Sequence, residues 1–319
     1  MENKEYMLID GNPVEINGEK NLLEVIRKAG IELPTFCYHS ELSVYGACRM
    51  CMVENSHGGM EAACSTVPKA GMEIYTNTER LHKHRKMILE LLLANHCRDC
   101  TTCQKNGKCR LQELASLFGL ESIRFKNLKP EPELDTSSLS IIRDAHKCIL
   151  CGDCVRMCNE IQNVGAIDFV NRGSKMVIGP AFNEPIANSP CVGCGQCAAV
   201  CPTGAIVIRK DTGRVWPELN DKNTKVVAQV APAVRVAMAK EFGLPENENS
   251  MGRITAALRR LGFDEVYDTA TGADLTVLEE SNEFLQRIEA GENLPLITSC
   301  CPAWIQYCDC LLYTSPSPR

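Results

Sequence analysis

Two cysteine runs with identical spacing constrain this chain more than any other feature. The pattern C-x2-C-x2-C-x3-C occurs first at Cys148, Cys151, Cys154 and Cys158. It recurs at Cys191, Cys194, Cys197 and Cys201. A doubled run of this kind is typical of a ferredoxin domain that holds two [4Fe–4S] clusters, because the x3 step carries the fourth cysteine to the neighbouring cluster.

The crossed step predicts the ligands of each cluster. One cluster is assigned to Cys148, Cys151, Cys154 and Cys201. The other is assigned to Cys191, Cys194, Cys197 and Cys158. Pro202 follows the second run as the motif expects, whereas Asn159 stands at that place after the first run. Zinc fits poorly, since zinc sites do not share ligands in a crossed pattern.

Another cysteine set lies near the start of the chain. It has the spacing C-x10-C-x2-C-x12-C, at Cys37, Cys48, Cys51 and Cys64. Four thiolates can hold a [2Fe–2S] cluster, because each iron takes two soft anionic ligands besides the bridging sulfides. Four thiolates also suit a structural zinc ion, so the spacing alone leaves both metals open.

A histidine joins the next set. The spacing H-x3-C-x2-C-x5-C occurs at His96, Cys100, Cys103 and Cys109. One imidazole and three thiolates can hold a [4Fe–4S] cluster, whose potential the neutral imidazole would raise. The same donors form a common structural zinc site, so this alternative also stays open. Cys97 lies outside the spacing and is interpreted as a bystander thiol.

Composition indicates the compartment and excludes some partners. The chain has 319 residues, 20 of them cysteine, and a net charge of -6. Its N-terminus lacks the apolar segment of a secretory signal, and no run reaches the ~18 apolar residues of a membrane span. We therefore expect a cytoplasmic protein with reduced thiols. The acidic balance argues against a nucleic-acid or anionic-membrane surface.

The periodicity of apolar residues predicts the elements around these sets. A hairpin at 6–16 and a helix between Asn21 and Gly30 precede the first set, and a helix at 79–94 precedes the histidine set. Beyond the second run, the pattern predicts strands at 226–230 and 294–298 and helices at 253–261 and 273–290. Alternating strands and helices indicate an α/β domain.

Two adjacent cysteines near the end do not share the spaced pattern. Residues 298–304 read TSCCPAW, with the pair at Cys300 and Cys301. A strand would end just before the pair, Ser299 can cap a helix, and Pro302 suits its first turn. Such a helix N-terminus would favour thiolate at both cysteines. Taken alone, the pair is also compatible with two buried structural cysteines.

The order of these motifs resembles the N-terminal part of a multi-cluster [FeFe]-hydrogenase, either ferredoxin- or NAD(P)H-linked. The likeness extends to about Tyr307, and TSCCPAW is its most specific element. The resemblance implies an H-cluster, which joins a [4Fe–4S] cluster to a diiron subsite, and the reaction 2H⁺ + 2e⁻ ⇌ H₂. It also implies ferredoxin or an NAD(P)H-oxidising flavoprotein subunit as the electron partner.

The same resemblance implies roles for five residues. Cys301 matches a ligand of the [4Fe–4S] part of the H-cluster, and Cys300 matches the thiol that passes protons to the open iron. Glu280 and Glu283 match proton-relay acids, and their spacing of three places both carboxylates on one helix face. Pro232 matches a residue that lines the diiron pocket. Without the resemblance, the two glutamates are typical of a solvated acidic face.

These inferences predict an α+β multidomain fold. The expected domains are a β-grasp [2Fe–2S] ferredoxin domain at 1–78, a small helical domain with a histidine-ligated [4Fe–4S] cluster and a proline-rich linker at 79–135, a two-[4Fe–4S] ferredoxin domain at 136–210, the start of an α/β H-cluster domain at 211–309, and a non-native tail at 310–319. The family's later H-cluster motifs are missing, so we expect a fragment that is itself inactive.

Two other interpretations stay open. The first is an electron-transfer subunit of a complex I-like enzyme or an NAD-dependent formate dehydrogenase, whose cysteine sets are similar up to about Arg209. TSCCPAW and the two glutamates argue against it. The second is a zinc-stabilised interaction protein, which brown colour and iron in the purified chain would exclude.

Overall fold

A computed structural model describes residues 5–128, 134–245 and 248–312. The predicted linker at 129–133 and most of the predicted tail lie outside the described residues. The chain divides into two compact units, one formed by Met1–Arg209 with Cys301–Arg319 and the other by Lys210–Cys300. Among the described residues, no helix is both long and apolar enough to cross a membrane.

Within residues 5–128, five strands form one sheet in the order β2-β1-β5-β3-β4. The strands are β1 (Glu5–Ile9), β2 (Asn12–Ile16), β3 (Met52–Asn55), β4 (Met60–Ala62) and β5 (Glu73–Tyr75). The predicted hairpin is confirmed, since β1 and β2 pair antiparallel. Asp10 and Gly11 between them have φ values of 50° and 81°, the left-handed geometry that tight hairpin turns require.

Helix α1 (Leu22–Lys28) packs its apolar side against this sheet. The side chain of Asn21 caps it by accepting a hydrogen bond from the amide of Glu24. Its fully buried apolar residues are Leu22, Leu23, Val25 and Ile26. The predicted helix is confirmed, and the packed sheet and helix fix the loops that carry the first cysteine set.

Helix α2 (Glu79–Ala94) has the predicted bounds, and α3 (Arg110–Leu117) follows the histidine set. Thr78 caps α2 by accepting from the amide of Leu81. The buried guanidinium of Arg85 donates to the carbonyl oxygens of Met50, Met52 and Thr76, so it fixes α2 to the sheet.

The region that contains the two cysteine runs, residues 141–208, folds into two similar halves. Their elements are β6 (Ile141–Arg143), α4 (Asp153–Arg156), β7 (Asp168–Val170), β8 (Val177–Gly179), α5 (Gln196–Val200) and β9 (Ile206–Ile208). β6 pairs with β9 and β7 pairs with β8, both antiparallel. Gly152 and Gly195 precede α4 and α5 with φ values of 78° and 74°, a conformation that side chains disfavour.

The second unit alternates strands and helices, as predicted. Its elements are α6 (Thr212–Asn220), β10 (Val227–Val230), α7 (Pro232–Glu241), α8 (Met251–Leu261), β11 (Glu265–Asp268) and α9 (Thr269–Ala290). β10 and β11 pair in parallel, which is typical of βαβ connections. The prediction of a strand at 294–298 is wrong, because this segment is irregular. Pro295 has no N–H for a strand ladder.

Helix α10 (Pro302–Tyr307) begins directly after the adjacent cysteine pair. Pro302 occupies its first turn, as predicted. The cap position belongs to Cys301 rather than to Ser299. A π-helical turn at Cys308–Leu312 follows and ends the described chain.

Candidate metal centres

The first cysteine set gathers at one end of the five-stranded sheet. Cys51 immediately precedes β3 and Cys64 lies just after β4, while Cys37 and Cys48 lie in the preceding loop. Three of these side chains are buried in the core: Cys37, Cys51 and Cys64. The amide of Cys48 donates to Sγ of Cys37 at 3.3 Å, a contact that stabilises negative charge on sulfur.

The four thiols interact as two pairs. A hydrogen bond from the Cys37 thiol lowers the pKa of Cys48 to about 6 and raises that of Cys37 above its ordinary value. A hydrogen bond between Cys64 and Cys51 likewise lowers the pKa of Cys51 to about 7 and raises that of Cys64. The fold therefore favours a thiolate in each pair before any metal is considered.

The histidine set lines a cavity with an empty volume of about 270 Å³. All its predicted members contribute: His96, Cys100, Cys103 and Cys109. Cys97, Lys147 and Gly204 also line this cavity, although the spacing indicated none of them. His96 follows α2, and Cys109 is the N-cap residue of α3, so the two helices position the ends of the set.

Gly204 lines this cavity close to the sulfur of Cys103. A Cβ atom at position 204 would lie 2.6 Å from Sγ of Cys103, so no side chain fits without a shift. Burial raises the pKa of the Cys100 thiol, and the charges of the neighbouring Cys109 and Cys103 raise it further. These thiols therefore lie within electrostatic reach of one another.

Lys147 supplies positive charge at the same cavity. Burial lowers the pKa of its ammonium group, but the hydrogen bond to Asp144 and the charges of Asp144 and Cys103 outweigh this, so the net pKa is raised. Nζ of Lys147 lies 2.5 Å from the carboxylate of Asp144. In the sequence, the only indication that Lys147 belongs to a metal site is its position directly before Cys148.

The doubled run forms two further cavities, and each is lined by thiols of both runs. The first, of about 410 Å³, contains Cys148, Cys151, Cys154 and Cys201. The second, of about 400 Å³, contains Cys158, Cys191, Cys194 and Cys197. The backbone thus brings together the same groups that the crossed spacing predicts.

Burial dominates the electrostatics of these two cavities. It raises the pKa of Cys151 and Cys154 well above the ordinary value and that of Cys197 to about 12. Backbone amides lower the pKa of Cys151 and Cys197 by a smaller amount, from Asp153 and Ala198 respectively. In the same two cavities, Leu150 N–H donates to Cys148 Sγ and Ala166 N–H donates to Cys158 Sγ, both at 3.4 Å. Buried thiolates of this kind need a cationic partner, which a metal cluster supplies.

Three of the four thiol sets meet at one apolar cluster. Cys37 and Cys48 of the first set, Cys109 of the second and Cys151 of the third belong to it, together with Met50. Within the described ranges, no three His, Cys, Asp or Glu side chains converge closely enough to hold a single metal ion.

The adjacent pair lies elsewhere, and both Cys300 and Cys301 are exposed. Glu280 lies on α9 and accepts a hydrogen bond from Oγ1 of Thr298 at 3.0 Å, so its carboxylate reaches the segment that leads to the pair.

The remaining residues of the predicted catalytic site take surface positions. Glu283 forms an ion pair with Arg287 one turn further along α9. Pro232 is exposed in the first turn of α7. Cys300 belongs to the second compact unit and Cys301 to the first.

Four family models match the chain in succession. They are a 2Fe-2S iron-sulfur cluster binding domain at 6–79, the NADH-ubiquinone oxidoreductase-G iron-sulfur binding region at 85–124, a 4Fe-4S dicluster domain at 147–214 and the C-terminal domain of the iron only hydrogenase large subunit at 224–313. The chain therefore carries iron–sulfur domains at the first cysteine set and at the histidine set, where the spacing alone did not exclude a zinc site.

Individual relatives agree with this succession. The chain is 39% identical to the NADP-reducing hydrogenase subunit HndD of Solidesulfovibrio fructosivorans and 30% identical to iron hydrogenase 1 of Clostridium pasteurianum. Each alignment covers 94% of this chain and 53% of the relative, so the chain spans about half the length of these curated relatives.

A solved structure of an NAD+-reducing [NiFe]-hydrogenase in the H2-reduced state is also similar. Its TM-score is 0.60 at 28% identity, over 64% of this chain and 87% of that one. The iron–sulfur domains, the matching hydrogenase domain and the two hydrogenase relatives together lead to one conclusion: the chain belongs to the iron-only hydrogenase family.

Proposed function

We propose that this chain relays electrons through one [2Fe–2S] and three [4Fe–4S] clusters to an H-cluster that interconverts protons and H₂. The observation that carries the proposal is the match of residues 224–313 to the iron-only hydrogenase domain, directly after the iron–sulfur domains. The electron partner is an NAD(P)H-oxidising flavoprotein subunit or ferredoxin, and the compartment is the reducing cytoplasm. The NADP-reducing relative supports the flavoprotein alternative.

In the proposed [2Fe–2S] site, each hydrogen-bonded thiol pair holds one iron. Cys37 and Cys48 form one pair, and Cys51 and Cys64 form the other. Each iron of such a cluster takes two protein thiolates, so the pairing supports this arrangement. The amide donated to Cys37 would stabilise the reduced, more negative state.

The three thiol-lined cavities would hold the [4Fe–4S] clusters. The proposed ligands of the first are His96, Cys100, Cys103 and Cys109. The other two clusters take the crossed sets, in which Cys158 and Cys201 exchange places. Three observations support cluster binding. The donors are soft thiolates, backbone amides donate to two of the sulfurs, and residue 204 is a glycine where a side chain would collide with Sγ of Cys103.

The apolar cluster indicates how electrons would travel. Cys151 of the third set, Cys37 of the [2Fe–2S] site and Cys109 of the histidine site all belong to this one apolar cluster. We therefore propose two entry branches that converge on the cavity of Cys151 rather than a single file in chain order. From there, electrons pass to the cavity of Cys158 and onward to the hydrogenase domain.

At the hydrogen end, we propose Cys301 as an H-cluster ligand and Cys300 as the thiol that carries the proton. Glu280 and Glu283 would pass protons along the exposed side of α9, and Pro232 would line the pocket. The hydrogen bond from Thr298 supports Glu280 most directly, because it holds the carboxylate near the segment that precedes Cys300. The bound H-cluster would supply the redox chemistry. We propose that the 319 residues alone relay electrons without hydrogen turnover.

A second candidate function is an electron-transfer subunit of a complex I-like enzyme or formate dehydrogenase. The match of residues 85–124 to the NADH-ubiquinone oxidoreductase-G region favours it. Sequencing the gene beyond the codon for Arg319 separates the two functions. Further cysteine motifs of the hydrogenase family support the first, and a different domain supports the second.

Electron paramagnetic resonance of the anaerobically reconstituted chain tests the relay itself. Dithionite reduction is expected to reveal one binuclear signal and three cubane signals. A colourless chain that contains zinc, or one with no paramagnetic species after reduction, would contradict the proposal.

A further inference from the structure

The cavity of the histidine set contains one candidate ligand more than a [4Fe–4S] cluster uses. Beside His96 and three spaced cysteines, the thiol of Cys97 also lines it. A cubane takes four protein ligands, one on each iron. The surplus donor therefore raises the question of which four side chains bind.

The hydrogen bonding of His96 is unusual for a metal ligand. Its Nδ1 atom accepts a hydrogen bond from the amide of Arg98 at 3.0 Å. Because a neutral imidazole carries one N–H, its proton then lies on Nε2. Metal-bound histidines usually donate their second ring N–H to an acceptor. In His96, Nδ1 is the nitrogen that would remain when Nε2 binds metal, and it faces the amide donor of Arg98 instead of an acceptor. This arrangement disfavours metal binding through Nε2.

Cys97 is held at the same cavity by its backbone. Its amide donates to the carbonyl oxygen of His146 at 3.2 Å, so its position is tied to the segment that leads into the doubled run. The side chain is half-buried. Cys97 lines the cavity together with Cys100 and Lys147.

We propose that Cys97 is an alternate fourth ligand that can replace His96 on the second cluster, an inference that rests on the proposed iron–sulfur function of this cavity. In the exchange, the bond from iron to the imidazole nitrogen breaks and a bond to Sγ of Cys97 forms. The released ring moves its single proton from Nδ1 to Nε2, as its hydrogen bond with Arg98 requires, the thiol proton of Cys97 passes to solvent, and no electron is transferred. The second cluster thus has a three-thiolate and a four-thiolate form.

The two forms differ in charge and therefore in reduction potential. A thiolate in place of a neutral imidazole adds one negative charge beside the iron, which disfavours the reduced state. The four-thiolate form is expected to have the lower potential. Lys147 would moderate the added charge, since its ammonium group lines the same cavity.

The test compares His96→Ala, Cys97→Ser and the double variant, each as the full chain reconstituted anaerobically with iron and sulfide. Iron and acid-labile sulfide per chain are measured together with potentiometric EPR. Both single variants are expected to retain the second cluster, with a lower midpoint potential in His96→Ala. The double variant is expected to lose about four iron atoms per chain. His96→Gln provides a second replacement that preserves more of the side-chain volume.

The [2Fe–2S] signal reports folding in every variant, because none of its proposed ligands is substituted and two of them, Cys51 and Cys64, lie in the core of the five-stranded sheet. Loss of the second cluster in both His96 single variants, or its retention in the double variant, overturns the proposal for Cys97. Absence of all cluster signals in the unaltered chain instead overturns the proposed function, so the two failures are distinguishable.

Discussion

Gly204 shows that a residue without a side chain can leave the space that a neighbouring ligand sulfur occupies. The residue follows the second cysteine run by three positions, yet the atom nearest to a Cβ added there is Sγ of Cys103 in the histidine set. Sequence spacing identified Cys103 but not Gly204, because spacing encodes ligands along the chain and not the backbone that packs against them. Lys147 escaped prediction for the same reason, as it reaches the cavity from another domain.

Gly204→Ala is expected to impair the second cluster selectively. The added Cβ would lie 2.6 Å from Cys103 Sγ, so the sulfur or the backbone must move. Reconstituted protein should bind up to about four fewer iron atoms per chain and keep the other cluster signals. Gly213→Ala is the matched control, because no atom lies within 4 Å of a Cβ at that position. An unchanged iron content in Gly204→Ala would contradict this account.

Among the secondary-structure elements, Asp135 connects the segment before β6 to the rest of the domain that contains the two cysteine runs. Its backbone bridges to Arg143 through two hydrogen bonds of 2.9 Å. Its carboxylate accepts from Nη2 of Arg143 at 3.1 Å and from the amide of Ile186 at 3.0 Å. Burial raises the pKa of Asp135, but hydrogen bonds from Ser137, Ile186 and Arg143 outweigh it and lower the net pKa.

Asp135→Asn is therefore expected to destabilise this domain by roughly 3 kcal/mol, because it leaves a buried guanidinium without its carboxylate. A depressed pKa contributes stability above the unfolded value of about 3.9 and loses it as pH falls through the folded value. Urea-unfolding midpoints should thus show the same difference between variant and unaltered chain at pH 8 and at pH 6. A difference that disappears between these two values would show that the carboxylate titrates in that range instead.

The elements themselves were largely predictable from the sequence. Strong periodicity identified α2 to the residue, and the alternation after the second cysteine run identified β10, α8 and α9. The segment at 294–298 was mistaken for a strand because its apolar composition outweighed Pro295, which cannot donate to a ladder. The Cys301 cap was missed because capping preferences favour serine, and the local backbone placed the helix start two residues later.

At the scale of the whole molecule, the thiol sets of the proposed relay are not arranged in space in their order along the chain. The first, second and third thiol sets all contribute to the apolar cluster around Met50. Spacing along the sequence predicts the members of each set but carries no information about which sets adjoin. That information lies in tertiary packing, such as the bond from Arg156 to the Cys37 carbonyl oxygen at 3.0 Å.

This arrangement predicts the magnetic interactions between reduced clusters. Paramagnetic clusters that lie close together broaden each other's EPR signals. Cys109→Ala is expected to remove the proposed second cluster while the [2Fe–2S] signal stays broadened by the proposed cluster of Cys151, because Cys37 and Cys151 share one apolar cluster and Arg156 donates to the Cys37 carbonyl oxygen. Cys64→Ala is the reciprocal variant, in which the second and third clusters should remain coupled. Narrowing of the [2Fe–2S] signal in Cys109→Ala would instead indicate a single file in chain order.

The exchange of one cysteine between the two runs also affects how the protein is made. Cys201 completes the cavity of the first run, although it is the last cysteine of the second. A ribosome must therefore pass Cys197 before the proposed ligand set of the second cavity is complete in the nascent chain, and Cys201 before that of the first cavity is. Iron insertion into this domain can finish only after both halves are synthesised, so neither half can mature alone.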